Sequence, residues 1–158
     1  MFPEYTFRIS TPDMLCYPED QVLKPNHVWH GVAIGWRKDI TVNIQAIEST
    51  HDRAVGVKMT LLKKSLLLVS YYAPTSGKDD DFLESISCLT EYLQRNLGPG
   101  DQILIGTDCN CSSKSTPRRQ RAWGNFCRNF DLQMHTPPSP SFHHHNGTSD
   151  VQHPPHLI

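Results

Sequence analysis

Two segments of the sequence place polar side chains directly after apolar runs, which is where a β-sheet presents chemistry at its edge. Residues 66–72 end on Tyr72, and a second run that begins at Asp101 ends on Asp108, one spacer residue and Asn110. Alternate side chains of a strand share a face, so Asp108 and Asn110 are expected to point the same way. A carboxylate beside a carboxamide can hold a hard cation, orient a water molecule and hydrogen-bond a phosphate oxygen. The alternative interpretation is an Asx-rich turn that simply ends a strand.

A basic cluster follows this segment in the chain. Arg118 and Arg119 come directly after Thr116 and Pro117, a pair that is typical of a helix start. Apolar residues then recur at helical spacing from Trp123, which predicts a helix over 117–129 with the arginines on the face opposite the core. Two interpretations remain open for the arginines, a solvated helix face or a surface that contacts phosphate.

The elements that must position these residues follow from periodicity and turn signals. Residues 1–27 are rich in proline and polar residues and are expected to be an irregular lead-in. Residues 101–108 are apolar on both faces, which predicts a strand in the interior of a sheet, with the end of strand 66–72 near it. The other predicted elements are strands at 28–36, 40–47 and 53–61, a helix with apolar positions 82, 86, 89, 93 and 97, and a loop or frayed tail over 134–158.

Composition predicts one soluble domain. A chain of 158 residues with 37% hydrophobic residues can bury one core. It contains no apolar run long enough to span a membrane, and its first residues do not resemble a signal peptide. The five cysteines form no Cys-x-x-Cys pair, which favours a reducing compartment and an intracellular location, nuclear or cytoplasmic. The net charge of −1 shows that the sequence lacks the excess of lysine and arginine that is common in DNA-binding proteins.

The two strand ends together resemble the endonuclease/exonuclease/phosphatase superfamily, and most of all its branch attached to the reverse transcriptases of LINE-type (non-LTR) retrotransposons. That family carries a Tyr-Ala-Pro motif, here Tyr72-Ala73-Pro74, and a later Gly-Asp-Phe-Asn motif. The second motif is here Gly106-Thr107-Asp108-Cys109-Asn110, with one extra residue and a cysteine in place of the aromatic. Stretches 30–36, 51–57 and 140–146 fit the same template in the same order.

The resemblance implies a mixed α/β (α+β) fold, a four-layer αββα sandwich that is incomplete in this chain. It also implies Mg²⁺-dependent phosphodiester hydrolysis of DNA. By the same resemblance Tyr72 would contact the scissile phosphate, Asp108 would orient the attacking water, and Asn110 would hydrogen-bond the phosphate. Ser141 stands where the family has a threonine that bonds a phosphate oxygen, and Arg118 and Arg119 are further candidate substrate contacts.

The chain departs from the family at both ends. The glutamate that is the family's principal metal ligand has no counterpart before residue 28, and the terminal histidine motif does not follow residue 152. We therefore expect a lead-in over 1–27, a partial domain over 28–152 and a divergent tail over 153–158, with no metal ligand assigned. The expected function is that of a retroelement-derived endonuclease-like domain that is inactive as this chain. The alternatives are a non-catalytic nucleic-acid or protein binding module, and an active nuclease in which Glu4 or Asp150 serves as a substitute metal ligand.

Overall fold

The computed structural model describes residues 4–10, 31–48, 52–62, 64–75, 79–135, 142–143 and 149–150. The chain divides into two compact units, which we call the sheet unit (Met1–Ala73 and Cys88–Cys109) and the helix unit (Pro74–Ser87 and Asn110–Ile158). Its elements are β1 (Tyr5–Ser10), β2 (Val32–Arg37), β3 (Asn43–Ile47), β4 (Ala54–Leu61), β5 (Lys64–Tyr72), α1 (Asp79–Asn96), β6 (Gln102–Asp108), α2 (Pro117–Asn129), β7 (Phe142–His143) and β8 (Ser149–Asp150).

The sheet unit contains two sheets. One pairs β1 with β2, and the other has the order β3-β4-β5-β6, antiparallel except for the parallel pair β5 and β6. The expectation of an irregular lead-in is wrong at β1. Tyr5, Phe7 and Ile9 alternate there with polar residues, which is the period-two pattern of a strand, and this short pattern was hidden by the proline-rich composition around it.

The two sheets pack together through aliphatic side chains at alternate positions. Val32 and Ile34 of β2 and Val55 and Val57 of β4 form one buried cluster. Tyr72, at the end of β5, is partly buried and packs against this cluster. The inter-sheet core therefore holds the ring of the candidate site tyrosine.

The opposite face of the larger sheet lies against α1. The Tyr92 hydroxyl of α1 lies directly over Gly56 of β4, and Tyr92 is 4% exposed. Beyond the helix, Asp101 accepts a hydrogen bond from the Gly98 amide at 2.7 Å and forms an ion pair with Lys58 at 2.6 Å. The Lys58 ammonium lowers the pKa of the Asp101 carboxyl, and the pair fixes the turn that leads into β6.

The position of β6 differs from the prediction. β6 pairs with β5 as expected, but it is the last strand in the order of its sheet, and no described strand pairs with its other side. The Leu104 side chain, which points to one face of the sheet, is 56% exposed. The apolar composition predicted burial on both faces, but burial also requires neighbouring elements, and those are not part of the strand's own sequence.

The helix unit contains α2, as the apolar spacing predicted. The Thr116 hydroxyl caps the helix by accepting a hydrogen bond from the Arg119 amide, and Pro117 occupies the first turn. Trp123 and Phe126 are 3% and 2% exposed, and their rings stack with centroids 5.3 Å apart. The expected loop over 134–158 is wrong at two short strands, since β7 and β8 pair antiparallel. None of the helices among the described residues is long and apolar enough to span a membrane.

Candidate functional site

Tyr72 and Asp108 end neighbouring strands at the same edge of the larger sheet. The parallel register of β5 and β6 runs residue by residue from Leu66 opposite Gln102 to Tyr72 opposite Asp108. The Ala73 amide donates to the Asp108 carbonyl oxygen at 3.0 Å, so the pairing continues to the last residue of β6. The prediction that these two residues lie at the same end of the sheet is confirmed.

The register also puts the two side chains on one face. Residues that are partners across a parallel pair point to the same side of the sheet, and neighbouring strands lie about 4.8 Å apart. Tyr72 is partly buried against the inter-sheet core, whereas Asp108 is exposed. The phenol ring is thus held by packing beside a carboxylate that solvent reaches. A phenol can donate to a phosphate oxygen, and a carboxylate can orient a water molecule or attract a cation.

Asn110 does not continue the strand, which corrects the expectation from strand alternation. β6 ends at Asp108, and Asn110, in the helix unit, has a left-handed backbone with φ 44°. Asparagine tolerates this conformation better than most residues because its short polar side chain can hydrogen-bond locally. The direction of the Asn110 side chain is therefore set by a turn and not by the period of the sheet.

Arg119 is buried, so its expected place on a solvated helix face is wrong. The residue is 2% exposed. Its Nη1 atom donates to the carbonyl oxygens of Pro74 at 3.2 Å and Asn110 at 3.1 Å, and Nη2 donates to that of Thr75 at 3.3 Å. The guanidinium carbon lies 4.4 Å from the centroid of the Phe82 ring. These contacts hold two loops of the helix unit together, and we do not assign Arg119 a contact with substrate.

Both arginines of the basic cluster lie close to acidic residues of the same unit. Arg118 is exposed and forms an ion pair with Asp80 at 2.8 Å, and Arg119 Nε lies 3.5 Å from Asp79. The Thr116 hydroxyl donates to Asp79 at 2.6 Å. The first turn of α1 carries three aspartates, so the basic cluster is largely neutralised within the helix unit. The acidic run at residues 79–81 is the signal in the sequence that could have indicated this pairing.

The remaining candidate residues are Ser141, proposed to contact the phosphate, and the two possible substitute metal ligands, Glu4 and Asp150. Ser141 lies outside the described residues, and the side chain of Asp150 is not described. Glu4, one of the two substitute ligands considered, accepts a hydrogen bond from Lys38 Nζ at 2.8 Å and is engaged in that ion pair.

The described residues do not form a magnesium site on their own. No group of three or more His, Cys, Asp or Glu residues within them could hold a metal ion. At the ends of β5 and β6 the protein offers one carboxylate, that of Asp108, whereas Mg²⁺ demands near-octahedral oxygen ligation. No step of the function proposed below therefore depends on a resident metal.

Comparisons with known proteins bear on the fold. The sequence matches no protein-family model and no curated protein. The structure is similar to the endonuclease domain of TRAS1, a telomere-specific non-LTR retrotransposon, with a TM-score of 0.58 and 18% identity over 92% of this chain. A structure of beta toxin 275-280 from Staphylococcus aureus has a TM-score of 0.39 and 18% identity over 47% of this chain and 28% of its own. A beta hairpin deletion mutant of that toxin has a TM-score of 0.39 and 17% identity over 52% of this chain and 30% of its own.

The likeness to the TRAS1 domain confirms the predicted mixed α+β fold class. This chain spans 64% of the length of that solved domain.

Proposed function

We propose that this chain, with the fold of a retrotransposon endonuclease domain, is a nuclease-like module that binds a DNA phosphodiester at Tyr72 and Asp108 and does not cleave it. The observation that carries the proposal is the parallel register, which sets a packed phenol and an exposed carboxylate side by side at one sheet edge. The Tyr72 hydroxyl donates to a phosphate oxygen beside the Asp108 carboxylate, which stands where the family resemblance expects a water-orienting group. In the helix unit, Asn110 is a separate candidate for a phosphate contact.

The donor set supports binding without cleavage. Hydrolysis of a phosphodiester requires that the charge of the transition state is stabilised, and this is usually the largest contribution in such chemistry. Among the described residues, the carboxylate of Glu4 is engaged with Lys38. One carboxylate at the strand ends supplies too few ligands to fix a cation in the position that catalysis needs.

Electrostatics predict weak binding with a shallow salt dependence. The net charge is −1, and Arg118 is already paired with Asp80. A complex that neutralises about two phosphates has a slope of log K against log salt of about −2. A slope near −6 would show an extended basic surface and would contradict a single phosphate contact at the sheet edge.

The binding experiment compares two site variants in EDTA by fluorescence anisotropy with a labelled DNA duplex. The Asp108 carboxylate repels a phosphate about 5 Å away by about 0.8 kcal/mol in water, so Asp108→Asn should raise the affinity about fourfold. Tyr72→Phe removes one hydrogen bond and should lower it about two- to tenfold.

Matched controls are available for both variants. Tyr71→Phe makes the same chemical change at the adjacent residue, which is buried at 2% exposure on the opposite face of β5. Asp39→Asn makes the same charge change at an exposed residue paired with Arg37. If either control changed DNA affinity as much as its site variant did, the effect would be general and the proposed site would be rejected.

The cleavage experiment tests the second half of the proposal. The purified chain should not nick supercoiled plasmid in Mg²⁺ above the level of Asp108→Ala. Nicking that needs Mg²⁺, stops with EDTA and is lost in Asp108→Ala would instead establish the alternative of an active nuclease. Glu4→Gln and Asp150→Asn would then identify the substitute ligand.

A further inference from the structure

The helix unit contains a buried cation whose hydrogen bonds link segments distant in sequence. The Arg119 guanidinium donates to the carbonyl oxygens of Pro74, Thr75 and Asn110, at distances between 3.1 and 3.3 Å. The first two residues belong to the loop that precedes α1, and Asn110 belongs to the loop that precedes α2. A planar guanidinium has five donors in a fixed fork and can satisfy several carbonyls at once, which an ammonium group cannot do in the same geometry.

The orientation of this fork is fixed by two further contacts. The plane of Phe82 lies under the guanidinium carbon at 4.4 Å, and Asp79 lies 3.5 Å from Nε. Asp79 in turn accepts a hydrogen bond from Thr116, the residue that caps α2. The guanidinium is therefore held at the start of its own helix, with little freedom to follow a loop that moves.

We infer that Arg119 is a positioning residue for Asn110. Asn110 is one of the non-glycine residues with a left-handed backbone, φ 44°, and its carbonyl oxygen accepts the bond from Arg119 Nη1. The peptide orientation that this bond fixes also sets the direction in which the Asn110 side chain leaves the turn. Arg119 thus acts on the phosphate contact through Asn110 and does not touch the phosphate.

Arg118 provides a matched control. It is the preceding residue on the same helix and also pairs with an α1 aspartate, Asp80, but its side chain is 62% exposed. Arg118→Lys and Arg119→Lys conserve charge at neighbouring positions. Only the second exchanges a buried planar fork for an ammonium group that cannot reproduce the geometry of the three bonds.

The first test is independent of DNA. In ¹⁵N-labelled protein, Arg119→Lys should shift the side-chain amide signals of Asn110 and speed hydrogen exchange of the Cys111 amide about tenfold, with the Trp123 indole signal unchanged. Arg118→Lys should leave all these signals in place. Unchanged Asn110 signals in folded Arg119→Lys protein, or equal changes in Arg118→Lys, would overturn the inference.

A second variant covers the case in which Arg119→Lys does not fold. Asp79→Asn weakens the ion pair at Nε and leaves the carbonyl bonds in place, so it should move the Asn110 signals in the same direction by a smaller amount. No movement in Asp79→Asn would then count against the inference.

The second test uses DNA affinity and rests on the proposed function. Asn110→Ala should lower the affinity about fivefold. If Arg119 acts through Asn110, Arg119→Lys should lower it by a similar factor and should have an effect below twofold in the Asn110→Ala background. Additive effects would overturn the inference. If DNA affinity does not respond to Tyr72→Phe or Asp108→Asn, the proposed function fails, and the amide signals alone decide the role of Arg119.

Discussion

A methyl group added at Gly56 should destabilise the sheet unit, and removal of the Tyr92 hydroxyl should restore most of that loss. A Cβ atom built on Gly56 would overlap the Tyr92 hydroxyl oxygen. The next neighbours are the ring carbon that bears this hydroxyl, at 3.3 Å, and the Leu68 carbonyl oxygen, at 3.5 Å. With phenylalanine at position 92 the overlap disappears, and the ring must move by only a few tenths of an ångström.

The magnitudes follow from packing and from the burial of the hydroxyl. Overpacking by one methyl group costs about 1–3 kcal/mol, so Gly56→Ala alone should cost about 2 kcal/mol. The Tyr92 hydroxyl has no hydrogen-bond partner among the described residues. An unsatisfied buried donor costs about 1–3 kcal/mol, so Tyr92→Phe should stabilise the protein by about 1 kcal/mol. In the double variant the coupling energy should reach about 1–2 kcal/mol in the stabilising direction.

The same hydroxyl predicts a response to alkaline pH. Burial raises the pKa of Tyr92 from 10.0 to about 12. The folded protein therefore keeps this proton after the unfolded chain has lost it, and stability should fall as the pH rises from about 10 to about 12. Tyr92→Phe should lack this part of the alkaline loss.

Urea denaturation at pH 7, followed by far-UV circular dichroism, measures the coupling energy from four proteins: the wild type, Gly56→Ala, Tyr92→Phe and the double variant. The reasoning is refuted if Gly56→Ala costs the same in both backgrounds, within about 0.3 kcal/mol. It is also refuted if Tyr92→Phe destabilises the protein, because the hydroxyl would then have a partner that stabilises the fold.

Three further predictions concern the two units. Trp123→Ala should cost about 3–5 kcal/mol in denaturant unfolding, because the residue is 3% exposed and stacked on Phe126. A loss below about 1 kcal/mol would show that α2 packs against nothing, and Trp123→Phe, which keeps most of the ring volume, is the control. Lys58 lowers the pKa of Asp101, so this pair stabilises the protein above the ordinary carboxyl pKa of 3.8, and the contribution is lost as the pH falls below it. Asp101→Asn should therefore lower Tm near pH 7 and reduce the decrease of Tm at acid pH. An unchanged decrease of Tm at acid pH would contradict this prediction. The control is Asp39→Asn, at a 61% exposed side chain, which should change Tm little. Leu104→Lys should change the free energy of unfolding by less than about 0.5 kcal/mol, since Leu104 is 56% exposed. It should also reduce light scattering at high concentration, because a charged edge strand disfavours pairing between chains; unchanged scattering would show that this edge is not where chains associate.

Local patterns in the sequence were sufficient to predict much of the secondary structure. The apolar spacing from position 82 predicted α1, and Thr116-Pro117 with the spacing from Trp123 predicted α2. The same patterns missed β1, whose six residues carry a weak alternation in a polar, proline-rich region. A strand this short forms because β2 pairs with it along its whole length, and that partner lies more than twenty residues away in the chain.

Half of the candidate site could be predicted from the sequence. Tyr72 and Asp108 each end an apolar run, and parallel pairing of two such runs with a helix between them brings their carboxyl ends to one edge. The family motifs indicated the same two residues. Whether their side chains share a face depends on the register of β5 against β6, because a shift of one residue would put them on opposite faces. The spacing of the residues in the sequence does not fix that register.

The other half depended on tertiary structure. Arg118 and Arg119 are adjacent and chemically identical, yet one is exposed and the other is 2% exposed beneath three carbonyl oxygens. Helical periodicity could not separate them, because the buried position is created by Phe82, Asp79 and the two loops, which are remote in sequence. Asn110 left the strand period because the ladder ends at Asp108, and β6 stayed exposed because its burial depends on neighbours. A sequence specifies the period and polarity of each element, whereas the burial and direction of a side chain depend on which distant segments pack around it.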